Sequence, residues 1–211
     1  MVYLYQKLVW PPFTLFAKFF LKLKVRGQKN FKKIKKKQYF IVSNHLGYLD
    51  AFLVCAAVPF FHFLKTDFRY MVSPKWYETY PIVKYFGAYP LYRKQETLEK
   101  TLESTEEYIG KGKNMLIFPE GGFPKFGIRQ KPKKGIGYLA KKYNFPILPV
   151  AIKGSDSVNG QNGLSVKNLF SGKHNIEINI GEPFFYADVA DENMDYQTVA
   201  DKIMDRVNIM L

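Results

Sequence analysis

From residue 38 onward the chain alternates short apolar runs with longer amphipathic ones, and no apolar run is long. Residues 38–42 (QYFIV), 69–73, 88–92, 114–118 (NMLIF), 147–152 and 175–180 read as strands. Residues 97–109, 134–143 and 195–211 carry helical spacing, and 50–64 reads as a buried helix opened by Asp50 and bent or ended near Pro59. Such alternation predicts an α/β fold, a mostly parallel central sheet flanked by helices. In that architecture the working residues gather on loops beyond the carboxyl ends of the strands. His45, Arg93 and Glu120 each follow a strand candidate closely, so the fold can bring them together.

Charge divides the chain. Residues 1–49 hold eleven Lys and Arg and no acid, whereas the rest, with 21 basic and 18 acidic residues, is nearly balanced. A segment so basic seeks phosphate, on lipid or on nucleic acid. Between its lysines stand Trp10, Phe13, Phe16, Phe19 and Phe20, interrupted by Lys18 and Lys22. The uncharged runs 8–17 and 51–64 fall short of the roughly 20 residues that span a bilayer, and Pro11-Pro12 predicts a break into two helical pieces. Neither the charge order nor the cleavage site of a secretory leader is present. Residues 1–37 are therefore expected to form an amphipathic, helical, membrane-surface segment. Its aromatics would lie at headgroup depth, and Lys29, Lys32, Lys33 and Lys35–Lys37 would meet anionic lipid. Residues 38–211 form the catalytic domain in this reading. Nothing resembles a zinc-finger or aromatic RNA-binding motif, so no nucleic-acid partner is expected. One cysteine, Cys55, excludes a disulfide framework and a cysteine zinc site, and three histidines leave little for a metal centre. No metal is expected.

The chemistry centres on Asn44-His45-Leu46-Gly47-Tyr48-Leu49-Asp50. A neutral imidazole accepts a proton near neutral pH, and a carboxylate on its other nitrogen fixes the tautomer. On one continuous helix, five residues would put His45 and Asp50 on different faces. A loop histidine before a helix-initiating aspartate can still meet it; otherwise Asp50 merely caps its helix. There is no G-x-S-x-G elbow, and Cys55 reads as core. A base without a protein nucleophile activates a substrate hydroxyl or a water.

These blocks resemble the glycerolipid acyltransferases, typified by lysophosphatidic acid (1-acylglycerol-3-phosphate) acyltransferase. Asn44-His45 through Asp50 matches that family's N-H-x-x-x-x-D. Gly87 to Arg93 resembles its second block, and Phe118-Pro119-Glu120-Gly121 its third. Lys134 to Ala140 followed by Pro146 to Val150 resembles its fourth, and Gly181-Glu182-Pro183 a late turn. The resemblance implies a glycerol-3-phosphate acyltransferase-like fold. His45 would be the general base on the acceptor hydroxyl, with Asp50 orienting it. The implied substrate-binding set is Asn44, Lys75, Arg93, Glu120, Gly121, Gly122 and Pro149, with Arg93 and Lys75 toward the acceptor phosphate. Backbone N–H groups near His45 or Gly121-Gly122 would hold the oxyanion. The donor would be an acyl-coenzyme A or acyl-carrier-protein thioester, with no further cofactor.

One departure stands out. The family's third block usually continues Thr-Arg, and here Gly122 and Phe123 follow. The missing arginine removes a charge-assisted contact with acceptor phosphate, worth about 1.5–3 kcal/mol. Either Lys125 or Arg129 supplies it through a fold-back of 124–127, or the acceptor is not lysophosphatidic acid. The leading expectation is a peripheral, monotopic O-acyltransferase of phospholipid biosynthesis on the cytoplasmic face of the cell membrane. The alternatives are another lysolipid or lipid acceptor, a lipid hydrolase or thioesterase, and a non-catalytic basic lipid-binding protein.

Overall fold

The apolar runs at 40–43, 114–117 and 147–152 become the buried middle of one sheet because each can be covered on both faces. The computed structural model describes residues 2–34, 38–93, 95–124, 128–160 and 163–211. Its chain order is α1 (Val2–Phe19), β1 (Lys24–Arg26), β2 (Phe40–Ser43), α2 (Asp50–Ala57), α3 (Phe60–Leu64), β3 (Phe68–Val72), α4 (Pro74–Thr79) and β4 (Ala88–Pro90). There follow α5 (Leu98–Gly110), β5 (Asn114–Ile117), α6 (Gly135–Tyr143), β6 (Ile147–Lys153), α7 (Val166–Leu169), β7 (Glu177–Ile180) and α8 (Tyr196–Asn208). The seven strands lie in the order β1-β7-β6-β2-β5-β3-β4, and every pairing is parallel except β6 with β7. The sheet is thus mostly parallel with helices on both faces, as the alternation predicts.

Two apolar layers sandwich it. Leu53, Val54 and Phe63 of α2 and α3 pack with Ala17 and Leu21 on one face; Leu102, Leu139, Val199 and Ile203 of α5, α6 and α8 cover the other. Because β2, β3, β4 and β5 run parallel, Asn44, Ser73, Leu91 and Phe118 all emerge at one end of the sheet.

The N-terminal segment departs from expectation in three ways. First, α1 runs unbroken through Pro11 and Pro12. The prolines cost it backbone hydrogen bonds, and tertiary contacts offset the loss. The Gln6 amide donates to the Phe68 and Phe86 carbonyls at 2.8 Å each, the Trp10 indole donates to Cys55 O at 2.8 Å, and Thr14 and Ala17 are buried. Second, Trp10, Phe13 and Phe16 are half-buried and pack against the core, whereas Phe19 and Phe20 are exposed, as are Lys18 and Lys22. The outward stripe is instead Leu4, Leu8, Leu15 and Phe19, the last 75% exposed. Third, the chain turns at Lys22, whose φ is 51°, and Lys24–Arg26 joins the sheet beside β7. Lys29, Lys32 and Lys33 are exposed, whereas Lys35, Lys36 and Lys37 lie outside the described residues. No described helix is long and apolar enough to cross a membrane.

Candidate active site

Where β2 ends, the backbone is pinned before it turns. Asn44 is fully buried; its amide donates to Ile152 O at 2.9 Å and its Oδ1 accepts the Ile152 N–H at 2.7 Å. Both groups are spent on β6, so Asn44 is a structural peg rather than a substrate contact. The loop then has to fold back within five residues. Gly47 allows this, since a Cβ there would sit 2.7 Å from the Ser155 carbonyl oxygen. Residues 45–49 are not helical, so the angular argument against the His45–Asp50 pair does not apply.

The pair meets. His45 Nδ1 lies 2.8 Å from Asp50 Oδ2, which also accepts the backbone N–H groups of Leu46 at 2.6 Å and Gly47 at 2.8 Å. The other oxygen, Oδ1, accepts the Ser155 hydroxyl at 2.5 Å. Asp50 is 0% exposed, and its two oxygens accept from four donors. Acceptance by Asp50 fixes the proton on His45 Nδ1 and leaves Nε2, which has no hydrogen-bond partner among the described residues, as the basic nitrogen. Phe118 stacks on the imidazole with centroids 4.3 Å apart, and Asn159 ties the loop by accepting the Tyr48 N–H and donating to Leu46 O. Ser155 and Asn159 escape a reading of the sequence, which finds Phe118 only as the first residue of the third block. The one signal for Ser155 is its place just beyond the carboxyl end of β6, where loops of parallel sheets carry function.

His45 opens into a cavity of about 1230 Å³. Its near wall is aromatic. Phe123 meets the imidazole edge-on at 4.5 Å and Tyr48 at 4.6 Å, Tyr48 stacks on Trp76 at 4.8 Å, and Trp76 touches Tyr80 at 4.2 Å. Arg93 lines the cavity with its side chain exposed, and its Nη2 donates to the Gly121 carbonyl at 2.6 Å. Gly121, at φ 67°, and Gly122 line it as well; a Cβ on Gly121 would press on the Arg93 guanidinium at 3.0 Å, while Gly122 faces open space.

Other expected substrate contacts lie elsewhere. Lys75 points to solvent from α4 and does not line the cavity, although its neighbour Trp76 does. Pro149 is buried mid-strand in β6, in register with Val42, and shapes the sheet only. Glu120 is buried beneath the loop; its Oε1 accepts the His45 N–H at a long 3.4 Å, and its Oε2 has no partner among the described residues. Burial pushes its carboxyl above the usual range, opposed by Arg129. Arg129 Nη2 is 3.8 Å from Glu120 and Nη1 donates to Asn208 at 2.9 Å, so it does not replace the missing arginine at the cavity. Lys125 and residues 125–127 lie outside the described residues.

The backbone donors expected for an oxyanion are mostly spent. The N–H groups of His45, Leu46, Gly47 and Tyr48 have side-chain acceptors, and that of Gly121 donates to Phe118 O. Among the described residues the Gly122 N–H makes no hydrogen bond, and Gly122 lines the cavity. The arrangement can take a proton from a group presented to Nε2.

Known proteins resemble the chain at two levels. A family model described as Acyltransferase matches residues 22–153, more than half of its length. The fold is similar to the crystal structure of the 1-acyl-sn-glycerophosphate (LPA) acyltransferase PlsC from Thermotoga maritima. The TM-score is 0.67 at 19% identity, over 97% of this chain and 80% of that one.

Proposed function

Because this chain belongs to the acyltransferase family, we propose that it moves a fatty acyl group from a thioester to the hydroxyl of a lysophospholipid at a membrane face. The donor is an acyl-coenzyme A or acyl-carrier-protein thioester, and 1-acylglycerol-3-phosphate is the leading acceptor. One observation carries the reading: an imidazole fixed by a fully buried, four-coordinated carboxylate, its second nitrogen open to a large and mostly apolar cavity.

In the proposed reaction the acceptor hydroxyl gives its proton to His45 Nε2 as its oxygen attacks the thioester carbonyl. Asp50 stabilises the imidazolium. The Gly122 N–H receives the tetrahedral oxyanion. Collapse breaks the C–S bond, and the leaving thiolate takes the proton back from Nε2. Arg93 is the cation at the rim for an acceptor phosphate.

A specific observation favours a second acceptor class. Phe123 packs against the imidazole, and Arg93 is already tied to Gly121 O, so the wall beside the base is apolar. A lysolipid whose headgroup lacks a phosphate monoester suits that wall.

The membrane side of the proposal rests on the Leu4, Leu8, Leu15 and Phe19 stripe of α1 beside exposed Lys18 and Lys22. Apolar burial with nearby cations suits an anionic surface. Removing α1 would strip the core of Ala17 and of the packing of Trp10, Phe13 and Phe16, so the stripe is better tested by Leu8→Glu/Leu15→Glu. That variant should lose at least tenfold in flotation with anionic vesicles, given about 1.5–3 kcal/mol per buried leucine; unchanged flotation refutes the anchor.

The deciding experiment offers one labelled thioester with a panel of lysolipids to the purified protein and reads product mass. An acylated lysolipid made by wild type and lost in His45→Ala supports the proposal. Free fatty acid alone, whatever acceptor is supplied, overturns it in favour of hydrolysis.

A further inference from the structure

The loop that carries the base is gripped from one side by a single short segment. Ser155 donates its hydroxyl to Asp50, and Asn159 accepts the Tyr48 N–H and donates to Leu46 O. Ser155 opens the 3-10 turn Ser155–Val158, just beyond β6, and Asn159 follows it. A 3-10 turn this short makes few hydrogen bonds of its own, so its shape depends on what packs behind it.

Behind it stands His174, 2% exposed, in the stretch between α7 and β7. Its Nε2 lies 2.8 Å from Asn168 O and 3.2 Å from Leu169 O, with Ser171 Oγ at 3.4 Å. Carbonyl oxygens only accept, so Nε2 donates. Its Nδ1 lies 2.8 Å from Ser157 Oγ, which is also 2.6 Å from Gly154 O.

Each ring nitrogen thus leads to the base loop by its own route. From Nδ1, Ser157 closes the turn on Gly154 and so sets Ser155 between them. From Nε2, Asn168 carries the link onward, because its side-chain amide donates to Asn159 O at 2.6 Å. The backbone leaves this fit little play. Gly154 has a φ of 74°, and a Cβ there would stand 2.7 Å from the carbonyl oxygen of Asn175, the residue after His174. Val158, between the two gripping residues, is 0% exposed. The two routes end on two parts of one loop, the Asp50 carboxylate and the backbone of Leu46 and Tyr48.

We propose that His174 is a positioning residue for the base: through Ser157 it holds Ser155 against Asp50, and through Asn168 it holds Asn159 against the loop that carries His45. Its kinetic consequence rests on the acyl-transfer reading given above; its geometric consequence does not.

The test cuts the two routes singly and together. A glutamine amide nitrogen falls near the place of Nε2, and an asparagine amide near that of Nδ1. His174→Gln therefore keeps the Asn168 route, His174→Asn keeps the Ser157 route, and His174→Ala keeps neither. In His174→Ala kcat should fall by about 10- to 100-fold, the scale of a misplacement near 1 Å at a reacting group. Each amide variant should lose only about three- to tenfold, the scale of one hydrogen bond. KM for thioester and lysolipid should stay within about twofold in all three, since neither substrate is touched. Val207→Ala, which opens a cavity in the opposite core layer, controls for lost stability and should keep the wild-type kcat. If His174→Ala fails to fold, Ser157→Ala and Asn168→Ala cut the same routes and should each cost about three- to tenfold.

A second readout needs no turnover: the nitrogen resonances of the His45 ring, assigned with His45→Ala. In wild type they should show one tautomer, protonated at Nδ1, and that pattern should average or shift in His174→Ala but not in Val207→Ala. An unmoved pattern or a wild-type kcat in the folded variants overturns the proposal, and so does an equal loss in Val207→Ala. A shifted pattern in a protein that transfers no acyl group supports the positioning and places the failure in the reaction.

Discussion

The two sides of His45 are built to different standards. On the Asp50 side every polar atom is engaged: four donors converge on one buried carboxylate, and the loop that supplies two of them is clamped by Asn159 and Gly47. On the cavity side the charged groups are exposed, Arg93 holds a single carbonyl, Lys75 reaches nothing in the cavity, and the nearest neighbours of the base are the rings of Phe118 and Phe123. The difference separates two jobs. Proton transfer needs a geometry fixed to a fraction of an ångström, and buried hydrogen bonds supply it. In the proposed reaction, choice of acceptor is left to a rim that one substitution can alter.

The sharpest way to break the contrast is at its rigid half. Asp50→Asn keeps the shape but removes the charge that supports the imidazolium. It should cut kcat by about 10³–10⁴-fold with little change in acceptor KM; a loss under tenfold in single-turnover assays would place the base elsewhere. Next comes Ser155→Ala, which leaves Oδ1 of a buried carboxylate without its donor. A hydrogen bond to a charged group is worth about 1.5–3 kcal/mol, so kcat should fall roughly ten- to a hundredfold. Ser155→Thr should recover most of it, and wild-type rates in the alanine variant would show the hydroxyl to be idle.

The loose half responds more gently and in a different constant. Phe123→Arg should lower KM for phosphate-monoester lysolipids by about three- to tenfold, because an exposed new cation is screened. It should leave neutral lysolipids where they were, and equal shifts for both headgroups would deny the rim its role in selection. The smallest effect lies at Glu120, under the seam between the halves. Its folded carboxyl titrates above the usual range, so the folded state holds a proton that the unfolded state has released. Its contribution to stability is full below about pH 4.5, the unfolded value, and is lost as pH rises through the raised folded one. Denaturant midpoints of wild type and Glu120→Gln should therefore diverge as pH is raised from 4.5 toward neutrality, with the glutamine variant gaining. A constant difference across that window refutes the shift.

What could be read from the chain before its structure follows the same line. The His45–Asp50 pair is legible because its parts lie within six residues, and the strand–helix alternation predicts the parallel sheet because both periods are local. Ser155 and Asn159 are 105 and 111 residues from the groups they hold, and nothing in their own neighbourhood announces them. The prolines of α1 misled for a related reason: propensity is a local preference, and packing of Gln6, Trp10 and Ala17 against distant segments overrules it. Aromatic content likewise showed an apolar helix without telling which face turns in, so Trp10, Phe13 and Phe16 serve the core. With three residues and two charges, β1 has no pattern to find.

That short strand has a consequence for assembly. Residues 24–26 lie against 177–179, and the Asn30 amide closes on the Ile180 carbonyl 150 positions away. A clasp between parts so far apart on the chain can engage only after most of the polypeptide has left the ribosome, and contacts of such separation form late and slowly.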